Sequence, residues 1–213
     1  MKLKLSLLVL LAVLVAPAAF GDVFTLQPLG PGSVTLYNPA NPNAGLGVNW
    51  APVNNAPLTF NLNPGDSQTF DLFYLWTDET AVNVSDDLNP ENISVNFNFN
   101  PPPSSGSVNG TTAGVVNFCV PFLGCALQYG NVHWNQPTLV NFGSGGQYTV
   151  ELSDANFNCC LPYGTLPGEK FGATIQATVT YDSAPAVPEP SSLIMLGSGL
   201  LGAAGIVRRK LNR

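Results

Sequence analysis

The chain has 213 residues, a formal net charge of −6, and only 9% charged residues against 45% hydrophobic ones. The charge is unevenly placed. Between Asp22 and Ala186 twelve carboxylates face one cation, Lys170, for a net −11, and no arginine occurs there. Such a body is repelled by nucleic acid and anionic membrane surfaces, and lacks the guanidinium groups that grip phosphoryl or carboxylate substrates, so those functions are excluded.

The N-terminus has the three parts of a secretory signal peptide over residues 1–21. Lys2 and Lys4 form the charged start, and Leu5 to Val15 the apolar stretch. Ala19-Phe20-Gly21 places small residues three and one before a cut that leaves Asp22 first; a cut after Ala18 is the alternative. No cysteine lies near the cut and no arginine pair precedes the apolar stretch, so the general secretory translocon is the expected route.

The next stretch, residues 22–181, is long enough for one domain that buries roughly 70% of its unfolded surface. Its periodicity is two. Leu58, Phe60 and Leu62 alternate with polar residues, as do Ile93, Val95, Phe97 and Phe99. So do Tyr148, Val150 and Leu152, and the run Phe171, Ala173, Ile175, Ala177, Val179, Tyr181. Each set belongs to one face of a sheet. Phe70 to Trp76 is apolar on both faces apart from Asp71, as in a central strand. Pro64-Gly65-Asp66, Asn89-Pro90, Asn109-Gly110 and Gly143-Ser144-Gly145-Gly146 read as reversals, and Pro101 to Ser107 as a loop. Nine or ten short strands predict an all-β antiparallel β-sandwich, immunoglobulin-like or jelly-roll-like. Residues 182–187 read as a linker.

Four cysteines, Cys119, Cys125, Cys159 and Cys160, lie in the exported part, where an even number predicts disulfides. Three pairings are open. Joining Cys159 to Cys160 needs a strained eight-membered ring, so two cross-links from Cys119 and Cys125 to the adjacent pair are favoured. Each would close a loop worth about 3–4 kcal/mol. The spacing fits no familiar zinc pattern.

Chemistry-bearing residues are few. A nucleophilic triad would have to use His133, the one histidine, and no Gly-x-Ser-x-Gly elbow supports it. The pairs Asp78/Glu79, Asp86/Asp87 and Glu151/Asp154 are candidates for glycosidase chemistry, but acidic loops are common. The expectation is a non-enzyme without a cofactor. Asp78, Asp86, Asp87 and Glu91 are oxygen ligands that Ca²⁺ accepts, without the spacing of an EF-hand. Trp50 and Trp134 flank loops and are the candidates for stacking on a glycan; Trp76 continues the face of Phe70, Leu72 and Tyr74 and is expected in the core.

The tail is the most specific segment. Val187-Pro188-Glu189-Pro190-Ser191-Ser192 leads into uncharged Leu193 to Val207, then Arg208-Arg209-Lys210. Fifteen residues make roughly 22 Å of helix, a marginal span of a ~30 Å hydrocarbon core. The glycines in it leave a smooth face for another helix. Arg208, Arg209, Lys210 and Arg213 would stay cytoplasmic, leaving the body outside. Pro188 and Pro190 keep the approach extended, as a protease needs it.

These residues resemble the PEP-CTERM sorting signal of Gram-negative bacteria, processed by the membrane protease exosortase. The resemblance covers Val187–Arg213 and implies residues 188–213 as a sorting signal with a transmembrane helix at 193–207. It implies Pro188, Glu189 and Pro190 as the recognition element and Arg208 and Arg209 as the stop. It further implies a chain held briefly in the inner membrane and then moved to the cell surface or matrix. Proteins with this tail resemble one another in having β-rich, Ser/Thr/Asn-rich bodies and are linked to exopolysaccharide, biofilm or floc. The expectation is a structural or adhesive matrix protein whose partners are polysaccharide or matrix proteins; the alternative is a lectin-like module.

Overall fold

The structure, a computed structural model, describes residues 21–37, 45–117, 119–120, 124–125, 127–135, 137–161, 164–184 and 199. The expected signal peptide, residues 1–21, lies outside these residues except for Gly21, and the expected sorting tail, residues 188–213, except for Gly199. Among the described residues no helix is long and apolar enough to cross a membrane.

The elements are strands, all paired antiparallel, and one 3-10 turn at Glu169–Phe171. The first sheet contains β1 (Asp22–Leu26), β2 (Val34–Tyr37), β4 (Leu58–Leu62), β6 (Glu91–Phe99), β7 (Ser104–Val116), β10 (Gln128–Trp134) and β13 (Ala155–Leu161). Their order is β13-β10-β7-β6-β1-β4, with β2 also pairing β6. The second sheet contains β3 (Asn49–Pro52), β5 (Ser67–Trp76), β11 (Thr138–Phe142), β12 (Gly146–Leu152) and β14 (Ala173–Ser183), in the order β11-β12-β14-β5-β3. A two-residue ladder joins β8 (Cys119–Val120) to β9 (Gly124–Cys125). Among the described residues fourteen strands exceed the nine or ten expected, because pieces as short as Asn49–Pro52 carry no readable period.

The two sheets pack face to face around one aromatic core. Phe24 from the first sheet is fully buried. Its ring meets Phe60 and Phe99 at 5.8 and 6.3 Å, and Phe142, Tyr148 and Tyr181 of the second sheet at 5.8, 5.6 and 5.2 Å. Outside, hydroxyls replace charges. Thr25 pairs with Thr59 at 3.0 Å, Ser67 with Thr180 at 3.0 Å and Thr69 with Thr178 at 2.8 Å, each across neighbouring strands.

Three local readings differ from the sequence expectation. Asn109-Gly110 makes no reversal: both lie inside the 13-residue β7. Gly110 is there because a Cβ would meet the His133 carbonyl at 2.5 Å and the Trp134 ring at 2.8 Å. The expected loop Pro101 to Ser107 is a turn only as far as Pro103, and β7 begins at Ser104. β14 runs on to Ser183, so the linker's first two residues are strand; Asp182 Oδ2 accepts the Thr149 hydroxyl at 2.5 Å.

The largest difference is a bulge in β5. Phe73 pairs with Ile175 but Asp71 with Gln176, leaving Leu72 without a partner on β14. The extra residue reverses the side-chain alternation. Phe70 lies opposite inward Ala177, while Phe73 and Leu75 lie opposite Ile175 and Ala173. Tyr74, opposite Thr174, and Trp76 after it therefore turn outward.

Two buried phenols carry a prediction. Tyr148 bonds Ser104 Oγ at 2.9 Å, and burial pushes its phenol up to about 12. Burial, then the Asp22 carboxylate that accepts its hydroxyl, raise Tyr181 as well. Both folded values lie above the ordinary one near 10, so their stabilising contribution is complete below about pH 10 and is lost as pH rises through the folded values. In an alkaline absorbance titration two of the six tyrosines should ionise only as near-UV circular dichroism collapses. Six tyrosines titrating together near pH 10 with the fold intact would contradict this.

Candidate functional site

The two candidate stacking residues flank one ring. Trp50 meets Phe73 edge-on at 6.3 Å, and Trp134 meets it edge-on at 6.4 Å. Trp134 is 5% exposed and its indole N–H donates to the Ser153 carbonyl at 3.1 Å. It offers no face to a sugar, because β10 turns it inward over Gly110. Trp50 is half-buried and packed against the core. The expectation for Trp76 reverses too: it is half-buried, but on the outer face with Tyr74, and neither belongs to the residues packed on the core.

Beside Trp134 opens a groove lined by His133, Asn135, Pro137, Glu151, Ser153 and Asp154. His133 Nδ1 stands 2.5 Å from Asp154 Oδ2, while Asp154 Oδ1 accepts the Trp134 backbone N–H at 2.8 Å. The carboxylate thus ties the end of β10 to the turn between β12 and β13. The pair is open to solvent, with side chains 68% and 51% exposed, so it adds on the order of 1 kcal/mol or less. In the same groove, Ser153 Oγ accepts the Gln176 N–H at 2.9 Å and is held as a structural link.

The acidic stretch Asp78 to Glu91 spends its carboxylates on loop geometry. Asp78 Oδ2 accepts Asn49 Nδ2 at 3.0 Å, Glu79 Oε1 accepts Gly47 N at 2.6 Å, and Asp87 Oδ2 accepts Asn83 N at 2.5 Å. Among the described residues no three His, Cys, Asp or Glu side chains gather as a metal centre. Asp78, Asp86, Asp87 and Glu91 are thus not brought to one point. Glu79 is held above its ordinary range by burial, with Asp87 and Asp86 adding to the rise and the Gly47 N–H opposing it. Its folded pKa is raised, so its contribution to stability falls as pH climbs above about 4.5.

A buried polar node that sequence reasoning missed lies on β13. Asn158 is 0% exposed with φ 55°, a left-handed conformation that asparagine tolerates. Its Oδ1 accepts Thr77 N at 2.8 Å, and its Nδ2 donates to the Leu166 and Gly168 carbonyls, the latter at 3.0 Å. One side chain holds together β13, the end of β5 and the turn before Glu169–Phe171. Two of its three partners lie 8 and 10 residues along the chain, and the third is 81 away.

The four cysteines sit on β8, β9 and β13. Cys159 and Cys160 follow one another on β13. Between Gln128 and Gly130 the ladder jumps from Leu161 to Phe157, so three residues of β13 stand against one of β10. Both cysteines sit in that excursion. Cys119 and Cys125 lie opposite one another in the β8–β9 ladder.

Comparison with known proteins bears on the tail. Residues 186–210 match the family model of the PEP-CTERM protein-sorting motif. The chain is thus an all-β protein that carries an exosortase sorting signal. The motif implies export, transient membrane anchoring and exosortase as the processing partner. Neither the comparison with curated proteins nor that with solved structures gives a match.

Proposed function

We propose that this chain is a secreted, exosortase-processed component of the extracellular matrix, with a structural or adhesive role beside polysaccharide. The PEP-CTERM motif at 186–210 carries the proposal. The body supports it. A sandwich whose outer faces present Thr, Ser, Asn and Gln, with Lys170 as the one cation between Asp22 and Ala186, suits hydrated neutral polymer better than ionic partners. The role is non-enzymatic and needs no cofactor. In support, the His133–Asp154 pair acts as a clamp, and Ser153 is engaged with the backbone.

Intact mass and C-terminal peptide analysis of the protein from host cells and medium tests this. The expected product begins near Asp22, ends near Pro188-Glu189-Pro190 and lies outside the cell. A full-length C-terminus retained in the inner membrane would make the tail an ordinary anchor and remove the matrix reading.

A further inference from the structure

The outer face of the second sheet carries two aromatic side chains that the core does not use. Tyr74 and Trp76 are half-buried, yet neither packs against the hydrophobic core. Among the described residues neither the Tyr74 hydroxyl nor the Trp76 indole N–H has a hydrogen-bond partner. They stand two residues apart on one strand, about 7 Å between Cα atoms. β5 lies inside the sheet between β14 and β3, so both rings rise from a supported surface.

The surroundings are short and polar. Ala51 and Thr174 flank Tyr74, and Asn49 flanks Trp76. Gly172 puts no side chain beside the indole; a Cβ there would stand 2.9 Å from Trp76 Cβ. Further along the face, Gln176 donates to Asp71 at 2.8 Å and hydroxyl pairs follow. The result is a face of amides and hydroxyls with two rings standing at one end.

We propose that Tyr74 and Trp76 form a stacking platform for a neutral polysaccharide chain. It rests on the matrix reading above and names the ligand class and the place. A pyranose ring has one apolar C–H face that lies on an aromatic ring, while its hydroxyls need amide and hydroxyl partners beside it. Asn49, Thr174 and Gln176 supply those. An anionic glycan would meet Asp71 on the same strand, Glu151 further across the sheet, and a body with a single cation. Charge therefore selects the neutral class.

Native gel electrophoresis of the full chain in mild detergent tests this, with hydroxyethylcellulose, dextran or alginate cast in the gel. Wild type should be retarded by a neutral polymer and run freely in alginate. Trp76→Ala should weaken retention roughly tenfold or more, the scale of losing an aromatic anchor. Tyr74→Ala should weaken it less, and His133→Ala should leave it unchanged. Thermal midpoints of the variants report the fold. A second readout needs no variant: the retarding polymer should shield wild-type tryptophan fluorescence from acrylamide. Free migration of wild type in both neutral gels, retention in alginate, or Trp76→Ala retained like wild type would overturn the platform. Cell fractionation reads the matrix assignment separately. A matrix-located protein that ignores both neutral polymers loses the platform alone, and a retarded protein found only in the inner membrane loses the matrix assignment alone.

Discussion

Phe24→Ala should destabilise the protein by about 3–5 kcal/mol, read as a lower urea midpoint at unchanged slope. The side chain is fully buried, and its ring touches five others drawn from both sheets. Removing it opens a cavity where the sheets meet. Tyr148 and Tyr181 cannot close it without moving hydroxyls that are bonded to Ser104 and Asp22. Phe24→Leu keeps much of the volume and should cost less than half as much. A loss below about 1 kcal/mol for Phe24→Ala would show that the sheets collapse onto the gap, and that the aromatic cluster does not join them as described.

Asn158→Asp should cost about 3–4 kcal/mol at pH 7, although it changes one atom's identity. The Asn158 amide nitrogen donates to two carbonyls at a site with no solvent exposure. An aspartate presents oxygen to both. Ionised, it is a buried charge facing two carbonyl dipoles; protonated, it can donate only one bond. The variant's carboxyl should therefore have a raised folded pKa, and its stability should fall as pH rises from 4 to 7. Urea unfolding of both proteins across that range checks it. A constant difference between wild type and variant would show that the carboxyl is solvated, and the buried node would be wrong.

Much of the fold was legible because several strands keep a strict period of two. Ile93 to Phe99 and Ala173 to Tyr181 place their apolar residues inward without interruption, and both lie where the alternation puts them. β5 is different. Phe70 to Trp76 is apolar at nearly every position, so the sequence contains no phase to detect. The bulge at Leu72 is set by pairing with Ile175 and Gln176, about a hundred residues away. That one slip sends Trp76 outward. Trp134 turns inward because its neighbour Gly110, which makes room for it, comes from β7, far from it in the sequence. Asn109-Gly110 reads as a hairpin turn by local preference, and the requirement of the Trp134 ring overrides it.

The chain's destination is written contiguously. The signal-peptide pattern expected over residues 1–21, Pro188-Glu189-Pro190, the apolar stretch and Arg208-Arg209 are linear features, and residues 186–210 match a motif accordingly. The expectation that the body repels nucleic acid follows from counting charges, which needs no structure. The all-β class follows from local periodicity. The tertiary structure alone decided which tryptophan faces out and that Asn158 holds three segments. Each depends on strand register, and register is settled by the whole core packing at once.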